Sequence, residues 1–448
     1  MSDLEFQNEE DKREVRRKRR IRNQVLAYTT VVVLLLIVSV AGFIAIKASS
    51  AVMAEKEQQR LEEEILAQAT IEAMTEASEA ETETVMEEET TTVEEYTDEE
   101  LLDEIVDACI LEMSLEDKVA GLFIVTPEAL TGVDKAVRAG DGTKEALEKY
   151  PVGGLIYFKQ NIQSKDQITE MLANTVSMSK YPIFLAVDEE GAKVARVADA
   201  LGLEKVYSAA DMGAAGDANN AYSTYKEIGT YLTEYGFNLN FAPVADVLTN
   251  PDNKSIGERS FGSDPDVVSS MVASSVTALE EVGVTACMKH FPGQGDADGD
   301  THEGLAASDR TLEEIKETEL KPFAAGMEAG AQMIMVGHFT VPAIDADNTP
   351  ASLSKKVITE LLREEMGYNG VVITDALNMS AISEYYDSSQ ACIMAFKAGA
   401  DMVLMPEDFE AAYEGVLAAV KDGTISEARI NDSLRRVYRI KYKGTIDN

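Results

Sequence analysis

Histidine and cysteine are scarce in this chain of 448 residues, which has three of each. The cysteines, Cys109, Cys287 and Cys392, are odd in number and stand at no metal-ligand spacing, so the sequence predicts no disulfide framework and no thiolate metal site. Basic charge is also in short supply, since 40 Lys and Arg face 80 Asp and Glu, for a net charge of −40. A chain this acidic is a poor partner for nucleic acid.

Many of the basic residues cluster near the N terminus, before a long uncharged run. Residues 12–22 carry eight Lys or Arg and one Glu, and residues 23–46 carry no charge. As a helix, this run would extend about 36 Å, enough to cross a bilayer. We predict a basic cytoplasmic arm over residues 1–22 and a single transmembrane anchor over residues 23–47, with the rest of the chain outside. A cleaved secretory signal is the alternative, although the run is longer than the usual apolar signal core of about 7–15 residues.

An acidic stretch of low complexity follows the uncharged run. Residues 51–100 contain 18 Asp and Glu against Lys56 and Arg60, with repeated Thr and Glu blocks. This composition cannot bury enough apolar surface to offset the entropy lost on ordering. We therefore predict a disordered acidic linker over residues 48–98 and a folded domain over residues 99–448.

Eight short apolar runs follow one another along the predicted folded domain. They are residues 121–125, 153–158, 182–188, 239–247, 284–291, 333–339, 370–376 and 401–405. Continuous apolar runs, rather than alternating ones, indicate strands that are buried on both faces. Helical periodicity occupies intervening segments such as 310–330, 353–366 and 408–421. The sequence predicts an α/β fold, namely a (β/α)8 TIM-like barrel preceded by one transmembrane helix and the acidic linker, and a doubly wound open sheet is the alternative.

Polar residues end five of the predicted strands. In chain order they are Asp188, Asp246, the pair Lys289 and His290, His338, and Asp375. In barrels of this kind, the reacting groups lie at the C-terminal ends of the strands and in the loops after them. We therefore expect these side chains to meet at one mouth of the barrel.

The loop KHFPGQGDADGDTH, residues 289–302, holds two of the three histidines. Asp296, Asp298 and Asp300 have the spacing of the first ligands of a calcium loop, but the later positions that need Gly and Glu hold other residues. A zinc site needs several converging ligands, and no two histidines stand at a close ligand spacing. We predict that the protein has no metal site and no cofactor.

Asp300 and His302 can instead work as a pair. The carboxylate of Asp300 can hold one ring nitrogen of His302 and leave the other free to give and take a proton near neutral pH. Asp375, on a rigid strand end, then has the fixed position that a nucleophile needs. A solvated surface histidine is the alternative for His302.

Six motifs, in this order along residues 105–443, resemble glycoside hydrolase family 3 in its β-N-acetylglucosaminidase branch. They are GGLIYFKQN, VDEEGAKVAR, IGERSFG, KHFPGQGDADGDTH, VGHFTVP and TDALNM. The resemblance implies a retaining double displacement in which Asp375 attacks the anomeric carbon. It also implies that His302, oriented by Asp300, protonates the leaving oxygen and later activates water. A histidine thereby replaces one member of the usual pair of carboxylates.

The same resemblance implies a sugar-binding pocket at the barrel mouth. Its residues would be Asp188, Arg196, Arg259, Lys289 and His290, with a structural ion pair as the alternative for the two arginines. The chain departs from the family pattern after Gly191, where Ala192 and Lys193 replace the usual Gly and Arg. This departure puts the conformation of the loop beside Asp188 in doubt.

The expected activity is the exo-acting hydrolysis of terminal N-acetylglucosamine from cell-wall glycan or muropeptide fragments outside the cell membrane. A phosphorylase, or a β-glucosidase or β-xylosidase, on the same barrel is an alternative reaction. An extracellular carbohydrate-binding protein without catalysis is the alternative from another class. The expected partners are a carbohydrate substrate and, through the N-terminal helix, the membrane, with no nucleic acid.

Overall fold

The folded domain begins with a capped helix at its N-terminal boundary. The computed structural model describes residues 97–446, so the predicted arm, the predicted anchor and nearly all of the predicted linker lie outside it. Thr97 and Glu100 exchange hydrogen bonds that satisfy free N–H groups of the first helical turn. Among the residues described, none of the helices combines the length and the apolar character needed to cross a membrane.

Eight parallel strands close into a barrel in their order along the chain. In chain order, and with one antiparallel hairpin (β4 and β5) inserted, the strands are β1 (Phe123–Val125), β2 (Gly154–Tyr157), β3 (Phe184–Val187), β4 (Glu189–Gly191), β5 (Val194–Ala195), β6 (Leu239–Asn240), β7 (Thr285–Phe291), β8 (Met333–Val336), β9 (Val371–Ala376) and β10 (Met402–Leu404). Each of the eight predicted apolar runs contains one barrel strand. The predicted (β/α)8 barrel is confirmed, and the open sheet is wrong because β1 pairs with β10.

Helices surround the barrel. They are α1 (Asp98–Glu112), α2 (Leu115–Ala120), α3 (Pro127–Thr131), α4 (Asp141–Lys149), α5 (Lys165–Met178), α6 (Arg196–Leu201), α7 (Ala209–Ala215), α8 (Ala218–Tyr235), α9 (Pro265–Glu281), α10 (Leu312–Glu317), α11 (Leu320–Glu328), α12 (Ser380–Ser383), α13 (Ser388–Ala398), α14 (Phe409–Lys421) and α15 (Glu427–Ile446). A helix of the wider π type, Lys356–Glu365, precedes β9. The three segments with helical periodicity are helical, as predicted.

Two strands end earlier than the apolar pattern predicts. The strand β6 stops at Asn240 rather than at residue 247, because Pro243 has no N–H to donate to a ladder, and beyond it Val244 forms only an isolated bridge. Asp246 therefore lies in an irregular segment. His338 lies two residues beyond the end of β8.

The barrel interior is filled by alternate residues of its strands. Its apolar cluster includes Ile124, Phe184, Ala186, Cys287, Val371, Ile373 and Val437. Because strand side chains alternate, Asp188, Lys289 and Asp375, each two residues beyond an interior residue, point toward the axis at the C-terminal mouth. The opposite opening is covered by α15, where Lys441 donates a hydrogen bond of 2.7 Å to the carbonyl of Gly153, just before β2.

The three free cysteines lie at three depths in this architecture. Cys287 is inside the barrel, and burial raises the pKa of its thiol. Cys392, on α13, is buried between the barrel and the helices. Cys109, on α1, is half-buried.

Candidate active site

A cavity of about 330 Å³ opens at the C-terminal ends of the barrel strands. Seven of the eight predicted site residues line it, namely Asp188, Arg196, Arg259, Lys289, His290, His302 and Asp375. The eighth, Asp300, is hydrogen bonded to His302. Residues that are distant in sequence thus converge on one concave site, at the end of the barrel where chemistry is expected.

Four charged groups form one wall of the cavity. The Nζ of Lys289 lies 2.7 Å from Oδ1 of Asp188 and 2.8 Å from Oε1 of Glu190. Arg259 donates two hydrogen bonds of 2.8 Å to the two oxygens of Glu190. The ion pair considered as the alternative for Arg259 is therefore present, and Arg259 also lines the cavity. Two carboxylates offset two cations, as buried charges require.

Glu190 and Lys289 are both charged at neutral pH. Burial works to raise the pKa of Glu190, but Arg259 and Lys289 outweigh it and hold this pKa well below the ordinary value. Burial works to lower the pKa of Lys289, but Asp188 and Glu190 raise it above the ordinary value. Glu190 was not among the predicted site residues, although it follows Asp188 by only two positions in VDEEGAK.

Arg196 reaches the cavity from the start of α6. This helix begins there because the carboxylate of Glu189 accepts the backbone N–H groups of Val197 and Ala198, at 2.7 and 3.0 Å. A carboxylate at a helix N terminus satisfies donors that have no partner within the helix. The guanidinium of Arg196 lies 5.8 Å from the ring centre of Phe158, and its Nε is buried without a hydrogen-bond partner among the described residues. Arg196 thus lines the cavity with one donor that the described residues leave unsatisfied.

His290 is held in place by Asp246. The Oδ2 atom of Asp246 lies 2.8 Å from Nδ1 of His290, and the same carboxylate accepts the backbone N–H groups of His290 and Gln294. Because an ionised carboxylate only accepts hydrogen bonds, Nδ1 carries a proton. Asp246 was predicted to lie at the barrel mouth but was not among the predicted site residues. Its contacts fix both His290 and the start of the following loop.

His302 and Asp300 lie at the edge of the cavity. The Nδ1 atom of His302 is 2.8 Å from Oδ1 of Asp300, which also accepts the backbone N–H of His302 at 3.0 Å. Burial works to raise the pKa of Asp300, but these two hydrogen bonds outweigh it and lower the pKa below the ordinary value. The side chain of His302 is 64% exposed, so its ring is open to solvent. The carboxylate holds one ring nitrogen, and the other is accessible to a proton donor or acceptor.

The aspartates with calcium-loop spacing take separate partners. Asp296 accepts a hydrogen bond of 2.8 Å from the hydroxyl of Ser308, and Asp300 holds His302. Asp298 is exposed. Between residues 97 and 446, no three His, Cys, Asp or Glu side chains converge in a way that could hold a metal ion.

Asp375 lies at the end of β9, on the cavity floor. Its Oδ1 atom accepts the backbone N–H of Ala376 at 2.7 Å. Burial works to raise the pKa of Asp375, but His338 and His290 when they are protonated, this hydrogen bond and Lys289 lower the pKa below the ordinary value. Asp375 is thus an ionised carboxylate with a fixed position, which is what a carboxylate nucleophile requires.

Two proteins of known sequence and one solved structure are similar to this chain. Beta-hexosaminidase A of Pseudoalteromonas piscicida is 34% identical over 326 residues, which cover 67% of this chain and 54% of that protein. Beta-hexosaminidase of Stenotrophomonas maltophilia is 33% identical over 281 residues, covering 61% of this chain and 82% of that protein. The structure of a glycoside hydrolase family 3 beta-N-acetylglucosaminidase from Paenibacillus sp. str. FPU-7 aligns with a TM-score of 0.71 and 35% identity, covering 75% of this chain and 64% of that one.

The chain spans about half the length of the first of these relatives. The sequence pattern of the Glycosyl hydrolase family 3 N terminal domain matches residues 114–440, which include the whole barrel and every residue that lines the cavity. On this match, the chain belongs to glycosyl hydrolase family 3.

Proposed function

We propose that this protein is a retaining exo-β-N-acetylglucosaminidase that works through a glycosyl-enzyme intermediate. One observation carries the proposal: the ionised carboxylate of Asp375 and the ring of His302, held by Asp300, line the same cavity. Two groups that can act as nucleophile and as proton donor, placed on one sugar-sized site, are the requirement for a double displacement. The names of the relatives support the choice of substrate class.

The charged wall binds the terminal sugar in this proposal. Asp188, Arg196, Arg259, Lys289 and His290 provide donors and acceptors for its hydroxyl groups. The cavity ends on the packed interior of the barrel, so the terminal sugar of a glycan can enter it end-on. This geometry supports removal of terminal residues rather than cleavage within a chain.

In the first step, a carboxylate oxygen of Asp375 attacks the anomeric carbon while the bond from that carbon to the leaving oxygen breaks. His302 gives the proton on Nε2 to the leaving oxygen, and the bond to Asp300 keeps its other proton on Nδ1. In the second step, neutral His302 takes a proton from water, and the water oxygen displaces Asp375 from the anomeric carbon. Two inversions return the sugar with retained configuration, and both side chains return to their initial state.

The substrate source and location are also proposals. A basic arm over residues 1–22 and an uncharged run over residues 23–46, within the predicted anchor of residues 23–47, support attachment to the cell membrane, with the barrel on the outer side. The acidic stretch over residues 48–98 would act as the linker between them. Cell-wall glycan or muropeptide fragments are the N-acetylglucosamine-containing molecules that such a tethered enzyme would meet.

Phosphorolysis is a second candidate reaction. Once the leaving oxygen has taken its proton, a neutral histidine stands where the usual enzyme has a carboxylate, so an anionic acceptor meets less negative charge as it approaches the intermediate. Phosphate would then compete with water, and the product would be a sugar phosphate.

One set of assays tests the proposal. Purified enzyme is given aryl N-acetylglucosaminide, glucoside and xyloside substrates, each with and without phosphate, and the same assays are run on Asp375→Asn and His302→Ala. We expect the wild type to turn over the N-acetylglucosaminide and Asp375→Asn to lose this activity. The control is Asp309→Asn, at an exposed aspartate that follows the loop of residues 289–302, and it should leave turnover unchanged. An unchanged rate in Asp375→Asn contradicts the mechanism, and sugar binding by the wild type without turnover favours the non-catalytic alternative.

A further inference from the structure

His338 is wholly buried beside the proposed nucleophile, and none of the proposed chemical steps uses it. Its Nε2 atom lies 2.9 Å from the carbonyl oxygen of Ala376, and its Nδ1 atom lies 2.7 Å from Oγ of Ser352. Ser352 is also wholly buried, in a short turn of 3-10 helix (Ala351–Leu353). A buried imidazole with two directed contacts is fixed in one orientation.

The contacts define the protonation of the ring. A carbonyl oxygen only accepts hydrogen bonds, so Nε2 of His338 carries a proton. Burial, the largest effect, lowers the pKa of His338 below the ordinary value, so the ring is neutral and Nδ1 is an acceptor. The hydroxyl of Ser352 therefore donates to His338, and His338 donates to the carbonyl of Ala376.

Ala376 connects this chain of hydrogen bonds to the nucleophile. Its N–H donates to Oδ1 of Asp375 at 2.7 Å, and its carbonyl accepts from His338 and also from the backbone N–H of Met379, at 3.0 Å. The conformation of one residue thus sets both the position of the donor that holds the carboxylate and the position of the carbonyl that His338 binds. A change at His338 is transmitted to Asp375 through the backbone of Ala376.

We propose that His338, supported by Ser352, is a positioning residue that holds Asp375 in the orientation needed to attack the anomeric carbon. The inference rests on the proposed function, and it assigns to His338 no proton transfer. A neutral ring supplies the hydrogen bond without placing a positive charge against the carboxylate.

The charged and titratable groups that face His338 are consistent with this role. Asp375 approaches from β9, His290 from the end of β7, and His302 from the loop that follows. The two histidines disfavour a further positive charge on the ring of His338, whereas Asp375 favours one. Burial and the two histidines together outweigh Asp375, so the pKa of His338 is lowered and the ring is neutral at neutral pH.

Two substitutions at position 338 test the inference. In His338→Gln, the side-chain amide can donate to the carbonyl of Ala376 and accept from Ser352, whereas His338→Ala removes both hydrogen bonds. The readout is the pre-steady-state burst of a chromogenic phenol from an aryl N-acetylglucosaminide. We expect His338→Ala to lower the burst rate by about tenfold to a hundredfold, with KM within about twofold, and His338→Gln to recover most of the rate.

A second site keeps the test independent of the folding of His338→Ala. Ser352→Ala removes the donor to Nδ1 and should lower the burst rate, whereas Ser352→Thr retains a hydroxyl and should restore it. The inference is overturned if His338→Ala and Ser352→Ala keep the wild-type burst rate, or if His338→Gln loses as much rate as His338→Ala. Failure of the proposed function looks different, since the wild type would then release no phenol, or Asp375→Asn would keep the burst.

Discussion

The Nδ1 atom of His302 and the Oδ1 atom of Asp300 lie 2.8 Å apart, in a loop where both side chains are partly exposed to solvent. An exposed ion pair of this kind contributes only about 0–1 kcal/mol to stability. Stability therefore does not account for the arrangement, whereas the proposed proton transfer at the cavity edge does. The hydrogen bond fixes the ring and leaves one nitrogen for the substrate.

Substitution of His302 should affect substrates according to how much protonation their leaving groups need. We expect His302→Ala to slow release of a poor leaving group, such as an alkyl alcohol, by about 10²–10⁴-fold, and to leave the burst from a dinitrophenyl glycoside nearly unchanged. Asp300→Ala should show the same pattern with a smaller loss, because the ring remains but is no longer oriented. Glu303→Ala, at the exposed neighbour, is the control. An equal loss for every leaving group would show that His302 binds the sugar and does not act as the acid.

The acidic limb of the pH profile should not come from Asp375. The pKa of this carboxyl is lowered from the ordinary value of 3.8, so its ionised form, which is the nucleophile, persists as the pH falls to about 4.5. In His302→Ala, the burst rate with a dinitrophenyl substrate should therefore stay constant between pH 7 and about pH 4.5. A protonation with a midpoint above about pH 5 in this variant would mean that the environment of Asp375 differs from that described.

Neutralising Glu190 should destabilise the barrel mouth. Glu190→Gln leaves Arg259 and Lys289 buried with one carboxylate fewer, and breaking a buried ion pair from one side costs about 3–5 kcal/mol in the free energy of unfolding. Glu116→Gln breaks an exposed pair with Lys421 of similar length, 2.8 Å, and should cost less than about 1 kcal/mol. Urea unfolding of both variants measures the difference, and similar losses would contradict a special role for burial.

The effect of Glu190→Gln also has a defined pH dependence. The folded pKa of Glu190 is depressed below the ordinary value of 4.5, so its contribution to stability is complete above pH 4.5 and is lost as the pH falls toward the folded pKa. The gap between wild type and variant should therefore be largest near neutral pH and should narrow in acid. If the difference in stability between wild type and variant instead widens in acid, the pKa of Glu190 is not depressed in the folded state.

Replacing Ala192 by glycine should stabilise the protein. It lies at the tip of the β4–β5 hairpin with φ of 46°, a left-handed conformation that costs a residue with a Cβ atom about 1–2 kcal/mol. Ala192→Gly should raise the free energy of unfolding by about 1 kcal/mol. Ala418→Gly, at an exposed position within α14, should lower it by about the same amount. Thermal unfolding of both variants tests the opposite signs, and a loss in Ala192→Gly would show that the turn is not strained.

The barrel was predictable because its strands are buried on both faces, and such strands appear in the sequence as uninterrupted apolar runs. The place of Asp188, Lys289 and Asp375 at the barrel mouth was predictable because each of them ends one of these runs. The early end of β6 was missed because Val244, Ala245 and Val247 are buried without belonging to a strand. Burial and strand pairing are separate properties, and an apolar pattern reports only the first.

Two residues of the site, Glu190 and Asp246, were not predicted for a different reason. Glu190 owes its role to Arg259, 69 positions away, and Asp246 owes its role to His290, 44 positions away. No local pattern carries such pairings, since they depend on which loops the barrel brings together. The Asp300–His302 contact spans two residues, and local reasoning could propose it directly.

Because the three cysteines lie at different depths, the order in which their thiols become accessible reports which part of the protein unfolds first. A thiol-alkylating reagent should react first with Cys109, when α1 moves away from its neighbours. Reaction at Cys392 then reports loosening of the outer helices, and reaction at Cys287, which is covered by α15 at one end and by the cavity floor at the other, reports rupture of the barrel itself. The order of alkylation therefore distinguishes local fraying from global unfolding without any introduced label.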